Sequence, residues 1–217
     1  ILIFLAITRE YEPLLLIPIS FGIVLANLPL ADLGSYGQGI IALIYESGIK
    51  TELLPPIIFL GVGVLTDFRP LLARPLTFLL GAAAQLGIFV AAIGAAYLFG
   101  FTFKEAATIG IIGGADGPTS IFLSSKLAPH RLGAIAIAAY SYMALVPVII
   151  PLVAKLLISK KEFVINMKEM DKKYPAKYQI KNLKAAKIIF PIALGTLAAI
   201  MVPSSVPLLG MLLFGNL

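Results

Sequence analysis

The chain has 217 residues, 59% of them hydrophobic and only 13% charged, with a mean hydropathy of +0.99. Soluble domains carry about 25% charged residues, so this composition places the chain in a membrane. With no Cys, a disulfide framework, a thiolate metal site and a Cys nucleophile are excluded, and a single His argues against a zinc or di-metal enzyme. The net charge of +6 does not mark a nucleic-acid partner, because ten of the 17 basic residues fall between Lys155 and Lys187. Such a local run of Lys is the signature of a cytoplasmic loop.

In chain order, apolar segments cover 13–30, 53–66, 76–100, 133–157 and 185–203. Each is near the ~20 residues that a spanning helix needs. Shorter apolar pieces occupy 1–8, 36–49 and 206–217. The polar stretch 159–184 reads SKKEFVINMKEMDKKYPAKYQIKNLK and separates two membrane halves as a basic cytoplasmic linker. The expectation is therefore an all-α polytopic membrane protein. Residues 1–158 form a first membrane half, and 185–217 begin a second half that is truncated here.

Residues Gly110 to Lys126, GIIGGADGPTSIFLSSK, interrupt this pattern. Gly113, Gly114 and Gly117 each disfavour helix by about 1 kcal/mol relative to Ala, and Pro118 by about 3. Pro118 also biases Gly117 away from the helical region. Within a bilayer, freed backbone groups persist only where protein or a water-filled cavity satisfies them. Asp116 lies at this break, and a carboxylate at membrane depth costs roughly 2.5–3.5 kcal/mol on insertion scales. Two half-helices that meet at an acid describe a cation site.

Topology adds a hairpin. If 159–184 is cytoplasmic, the turn Ala128–Leu132 lies outside. Arg69 and Arg74 put the connection 66–75 inside. Segment 105–126 then begins and ends on the outer side, as a re-entrant hairpin broken at Gly113–Pro118. The frames Pro18-Ile19-Ser20-Phe21-Gly22 and Pro191-Ile192-Ala193-Leu194-Gly195 faintly echo each other, as in inverted-repeat transporters.

Asp116 can cap the half-helix that Pro118 opens, or bind a cation and exchange it for a proton; a cap inside a broken membrane helix is itself unusual. Gly113, Gly114 and Gly117 serve either close packing or backbone access to an ion. The hydroxyls of Thr119 and Ser120 suit a hard cation such as sodium. In the apolar run Ala139 to Pro147, Tyr140, Ser141 and Tyr142 need hydrogen-bond partners, and Ser141 or Tyr142 is a candidate for the site. Asp67 reads first as a helix-end acid beside Arg69 and second as an ion ligand. His130 reads as a solvated loop residue. Gly61-Val62-Gly63 lacks the strand–turn–helix context of a nucleotide fingerprint.

The segments GIIGGADGPTSIFLSSKLAP, AIAAYSYMALVP, FLGVGVLTDFRPLLARP and PLLGMLLFGNL closely resemble the beta subunit of the sodium-translocating biotin-dependent decarboxylases, which act on oxaloacetate, glutaconyl-CoA, methylmalonyl-CoA or malonate. The resemblance implies a membrane subunit that decarboxylates carboxybiotin, takes up a proton and exports sodium. It assigns the sodium and proton site to Asp116 and a catalytic role to Tyr142. It implies sodium and biotin as cofactors, the biotin being carried on a partner domain. The implied partners are a carboxyltransferase alpha subunit, a small gamma membrane subunit and further copies of the subunit, in the inner membrane of a prokaryotic cell. From the residues alone, a cation-coupled transporter is as far as the reading goes. A sodium/proton antiporter without enzymatic activity and a non-transporting scaffold stay open beside the decarboxylase.

Overall fold

The structure, a computed structural model, describes residues 2–9, 13–35, 37, 39–175 and 182–217. Every regular element among the described residues is helical. Those elements are α1 (Leu2–Thr8), α2 (Pro13–Ala26), α3 (Ile40–Ile44), α4 (Leu54–Leu65), α5 (Arg69–Ala73), α6 (Phe78–Tyr97) and α7 (Phe103–Gly110). They continue with α8 (Gly117–Leu127), α9 (Leu132–Leu157), α10 (Lys160–Phe163), α11 (Met167–Lys173), α12 (Leu183–Met201) and α13 (Val206–Asn216).

Three helical stretches are long and apolar enough to cross a bilayer: Pro75–Tyr97, Pro129–Leu157 and Lys184–Met201. They match the apolar segments 76–100, 133–157 and 185–203. Counting the bent pair Ile40–Ile49 and Leu54–Leu65 as one span brings the number to four. The large side chains of α6 stand exposed, Leu80 at 71% and Val90 at 70%, as suits a helix surrounded by lipid.

One segment is shorter than its apolar run. In place of 13–30, α2 has 14 residues, about 21 Å at 1.5 Å per residue. Asn27 ends it, with its Nδ2 donating to the Ile23 carbonyl at 2.8 Å, and Leu30 then takes a positive φ of 65°. There hydrophobicity extends past the helix, but backbone geometry stops it first. The segment 53–66 is matched by α4, Leu54–Leu65, with Pro55-Pro56 in its first turn.

The chain divides into two compact units, Ile1–Leu53 with Gly87–Ile158, and Leu54–Leu86 with Ser159–Leu217. In the first, α1 and α2 pack together and α2 touches α9, around Ala6, Leu16 and Ala144. Helix α8 lies along α9, burying Ile121, Phe122, Ile135 and Ala139.

In the second unit, α4 crosses α13 closely. A β-carbon on Gly63 would strike the Leu212 carbonyl, and one on Gly215 the Leu60 carbonyl. Small residues let two backbones meet this closely. Asn216 adds polar glue: its Nδ2 donates to the carbonyls of Gly63 at 3.1 Å and Thr66 at 2.6 Å. The Thr66 carbonyl lies just past the end of α4, where no further turn satisfies it, and the Gly63 carbonyl also accepts the Thr66 N–H at 3.1 Å. Within the basic stretch, α10 and α11 are short capped helices, and Arg74 donates to the Tyr174 carbonyl at 2.6 Å. Part of the expected linker, 176–181, lies outside the described residues.

A candidate cation site at a broken helix

The predicted break is present. Helix α7 ends at Gly110, a single 3-10 turn covers Ile111–Gly114, and α8 starts at Gly117. The reversal is carried by Ala115 in the left-handed region (φ 53°, ψ 39°), although two glycines, Gly113 and Gly114, stand just before it. That conformation is uncommon for a residue with a β-carbon and costs roughly 1–2 kcal/mol. Gly117 is needed for a different reason: a β-carbon there would stand 2.6 Å from Tyr140 Cε1.

Asp116 is extended (φ −124°, ψ 101°) and is the N-cap of α8. Its Oδ1 accepts from the Thr119 backbone N–H at 3.1 Å, and its Oδ2 from the Thr119 hydroxyl at 2.8 Å. One residue thus holds both carboxylate oxygens, and each keeps lone pairs free. Among the described residues, no Lys, Arg or His forms an ion pair with Asp116, and no cluster of three or more His, Cys, Asp or Glu occurs. The acid is alone and oriented. The Ser120 hydroxyl donates to the Asp116 carbonyl at 2.8 Å.

Helix α9 supplies the opposite wall. Tyr140 lies against Gly117, and Met143 Sδ accepts from the Gly117 N–H at 3.1 Å. Tyr140 and Met143 are three residues apart and share one face of α9. Tyr142, about 200° round the helix from Tyr140, is half-buried on another face. Ser141 is exposed and lines an apolar cavity of about 210 Å³ with Leu16, Ile19 and Ala136. Gly113 and Gly114 are exposed on the 3-10 turn. The structure therefore gathers Asp116, Gly117, Thr119 and Ser120, and adds Tyr140, which the sequence offered only as a phenol in an apolar run, and Met143, whose only signal is its three-residue spacing from Tyr140.

The two arms close on each other at the far end. Glu105, 8% exposed, receives the Thr102 N–H at 3.1 Å and the Thr102 hydroxyl at 2.8 Å in a capping box at the start of α7. Its Oε1 lies 2.9 Å from His130 Nε2 and from Arg131 Nε, just past the end of α8. His130 is 64% exposed, yet it is bonded rather than simply solvated. His130 above all, then Thr102 and Arg131, hold the Glu105 carboxyl down at about 2. With 8 and 11 residues, α7 and α8 reach about 12 and 16 Å, well short of the ~30 Å hydrocarbon core. The chain runs along α7, turns at Ala115–Asp116, and returns along α8, so that His130 and Arg131 meet Glu105.

Asp67 lies in the other compact unit, engaged by Arg69 through Nε at 2.8 and 2.7 Å and the backbone N–H at 3.0 Å. The Arg69 hydrogen bonds hold its carboxyl down at about 2. It lines a cavity of about 260 Å³ with Arg69, Lys187, Phe190 and Asn216.

A family model described as the Na+-transporting oxaloacetate decarboxylase beta subunit matches residues 1–217, the whole chain. The chain belongs to this family. It is 54% identical to the methylmalonyl-CoA decarboxylase subunit beta of Veillonella parvula, covering 100% of this chain and 54% of that protein. It is 53% identical to the glutaconyl-CoA decarboxylase subunit beta of Acidaminococcus fermentans, covering 55% of that relative. It is 43% identical to the probable oxaloacetate decarboxylase beta chain of Pasteurella multocida, covering 62%. The chain thus spans about half the length of the first two decarboxylase beta subunits. The resemblance in GGADGPT and the neighbouring segments is one of family membership.

Proposed function

We propose that this chain is the ion-exchanging part of a prokaryotic inner-membrane subunit that decarboxylates carboxybiotin, exports sodium and takes up a proton. The observation that carries the reading is the Asp116 carboxylate. It stands at a helix break, is oriented on both oxygens by Thr119, and pairs with no cation of the described chain.

Asp116 is the exchange site. Sodium is a hard cation that takes oxygen ligands, and the free lone pairs of Asp116, the Thr119 and Ser120 oxygens and the carbonyls around Gly113, Gly114 and Gly117 are of that type. Sodium and a proton compete for the one carboxylate, so binding of either favours release of the other. Carboxybiotin and a proton give biotin and carbon dioxide, and the proton that leaves Asp116 when sodium enters is the one the reaction consumes. Biotin arrives on a carrier domain of a partner, and the carboxyltransferase alpha subunit loads it. Tyr142 relays or orients the proton, and Ser141 stands beside it. Tyr140 and Met143 hold α9 against the break.

The remaining features fit a larger assembly. The Lys-rich stretch 159–184 faces the cytoplasm, α7 and α8 form a re-entrant hairpin opening outward, and the Pro18 and Pro191 frames mark two inverted repeats. Both prolines sit inside helices, α2 and α12. A small gamma subunit and further copies of the chain complete the complex.

The test uses the full-length subunit with its partners in liposomes, following radioactive sodium uptake on addition of decarboxylation substrate, with and without avidin. Avidin-sensitive uptake is expected. Uptake driven by a pH gradient alone and indifferent to avidin would replace the decarboxylase by an antiporter.

A further inference from the structure

Several hydroxyls of the helices donate to a carbonyl of the preceding turn, and buried Thr108 does so three residues back, to Glu105 at 2.7 Å. Ser20 donates to the Leu16 carbonyl at 2.6 Å, Thr66 to Val62 at 2.7 Å, Ser120 to Asp116 at 2.8 Å and Thr196 to Ile192 at 2.8 Å. Each bonds four residues back along its own helix, the usual solution where water is absent. Ser124 does not. Its side chain is fully buried at 0% exposure, and its Oγ is the one buried side-chain oxygen or nitrogen among the described residues without a hydrogen-bond partner. A buried, unsatisfied hydroxyl costs free energy, and each such group in a native fold calls for a reason.

Its position suggests one. Asp116, Ser120 and Ser124 are spaced four apart along the start and body of α8, so they share one face at steps of about 6 Å. The stripe leads from the carboxylate toward the end of α8, where Lys126 pairs with Glu52 at 2.6 Å. A hydroxyl oxygen with free lone pairs is a ligand for a hard cation or for the water that travels with it.

We propose that Ser124 is a further residue of the sodium path: its hydroxyl oxygen takes up the ion as it passes between Asp116 and the outer end of α8. This rests on the reading of Asp116 as the exchange site. The orphan hydroxyl is then a functional cost, since an apolar side chain there would suit the fold at least as well.

The experiment measures the sodium dependence of uptake, and thermal unfolding with and without sodium, for the full complex carrying Ser124→Ala or Ser124→Cys. Ser124→Cys keeps the shape and replaces a hard oxygen by a soft sulfur. Both variants are expected to raise the apparent sodium KM by about ten-fold, one polar contact's worth, and to lessen the protection that sodium gives against unfolding. In sodium-free buffer their Tm should match or exceed that of the parent. A parental sodium KM in Ser124→Cys overturns the proposal. So does a sodium-free Tm that falls in step with the KM change, which would mark Ser124 as structural. Asp116→Asn is run alongside: sodium-coupled uptake surviving that change removes the exchange site itself, whereas its loss with a parental KM in both Ser124 variants removes only this inference.

Discussion

Tyr140 occupies the space that a β-carbon on Gly117 would need, with Cε1 and Cζ at 2.6 and 2.7 Å from that point. With the Met143 Sδ that accepts the Gly117 N–H, this contact ties α9 to the first residue of α8, next to Asp116. Gly117→Ala forces either the ring or the half-helix to move. Overpacking of this kind costs typically 1–3 kcal/mol. Tyr140→Ala should relieve most of that cost in the double variant, and strict additivity in a thermal double-mutant cycle would mean that the two residues do not meet.

Asp116→Asn keeps the shape of the cap but removes the charge. We expect insertion and stability to change by less than about 1 kcal/mol, because Asn caps a helix about as well as Asp. Sodium-coupled turnover should be abolished. Near-normal sodium transport by the assembled complex would remove Asp116 as the site.

The two tyrosines of α9 make a paired test. If Tyr142 relays the proton, Tyr142→Phe lowers turnover or shifts its pH dependence, while Tyr140→Phe, which keeps the ring against Gly117, leaves the pH profile unchanged. The reverse pattern would transfer the role to Tyr140. The measurement is the pH profile of sodium uptake for both variants.

Glu105 closes the hairpin, and its folded-state pKa of about 2 lies below the ordinary value of 4.5. A depressed carboxyl stabilises the fold fully above its unfolded value and loses that contribution as the pH falls through the folded one. Acid weakening of the structure between about pH 4.5 and 2 should therefore be shallower in Glu105→Gln than in the parent. Hydrogen exchange at 102–110 and 128–132 reads the opening locally, and identical profiles would show that the clasp contributes nothing.

Asn216→Ala leaves the Thr66 carbonyl without its amide donor and the Gly63 carbonyl with the Thr66 N–H alone. Partly buried orphan acceptors cost about 1–3 kcal/mol, so the α4–α13 pair should loosen by that order. An unchanged denaturation midpoint would show that other donors replace the amide.

The break, the lone acid and the three long spans were legible because each depends on local chemistry. Gly113, Gly114, Gly117 and Pro118 oppose helix wherever they stand, and Asp116 is costly in any apolar segment. Hydropathy overreached at 13–30, since it registers apolar side chains and not the turns at Asn27 and Leu30.

From the sequence by itself come the membrane class, the helical architecture, the basic stretch and the carboxylate at a helix break. All of these follow from residue type and from neighbours a few positions away. The tertiary structure alone decided that Tyr140 and Met143 face Gly117, that Glu105 meets His130 and Arg131, that Asn216 caps α4, and that Ser124 is buried without a partner. The reason is geometric. A helix offers several faces of similar composition, and which one meets a partner 26 or 150 residues away depends on packing that no local pattern encodes.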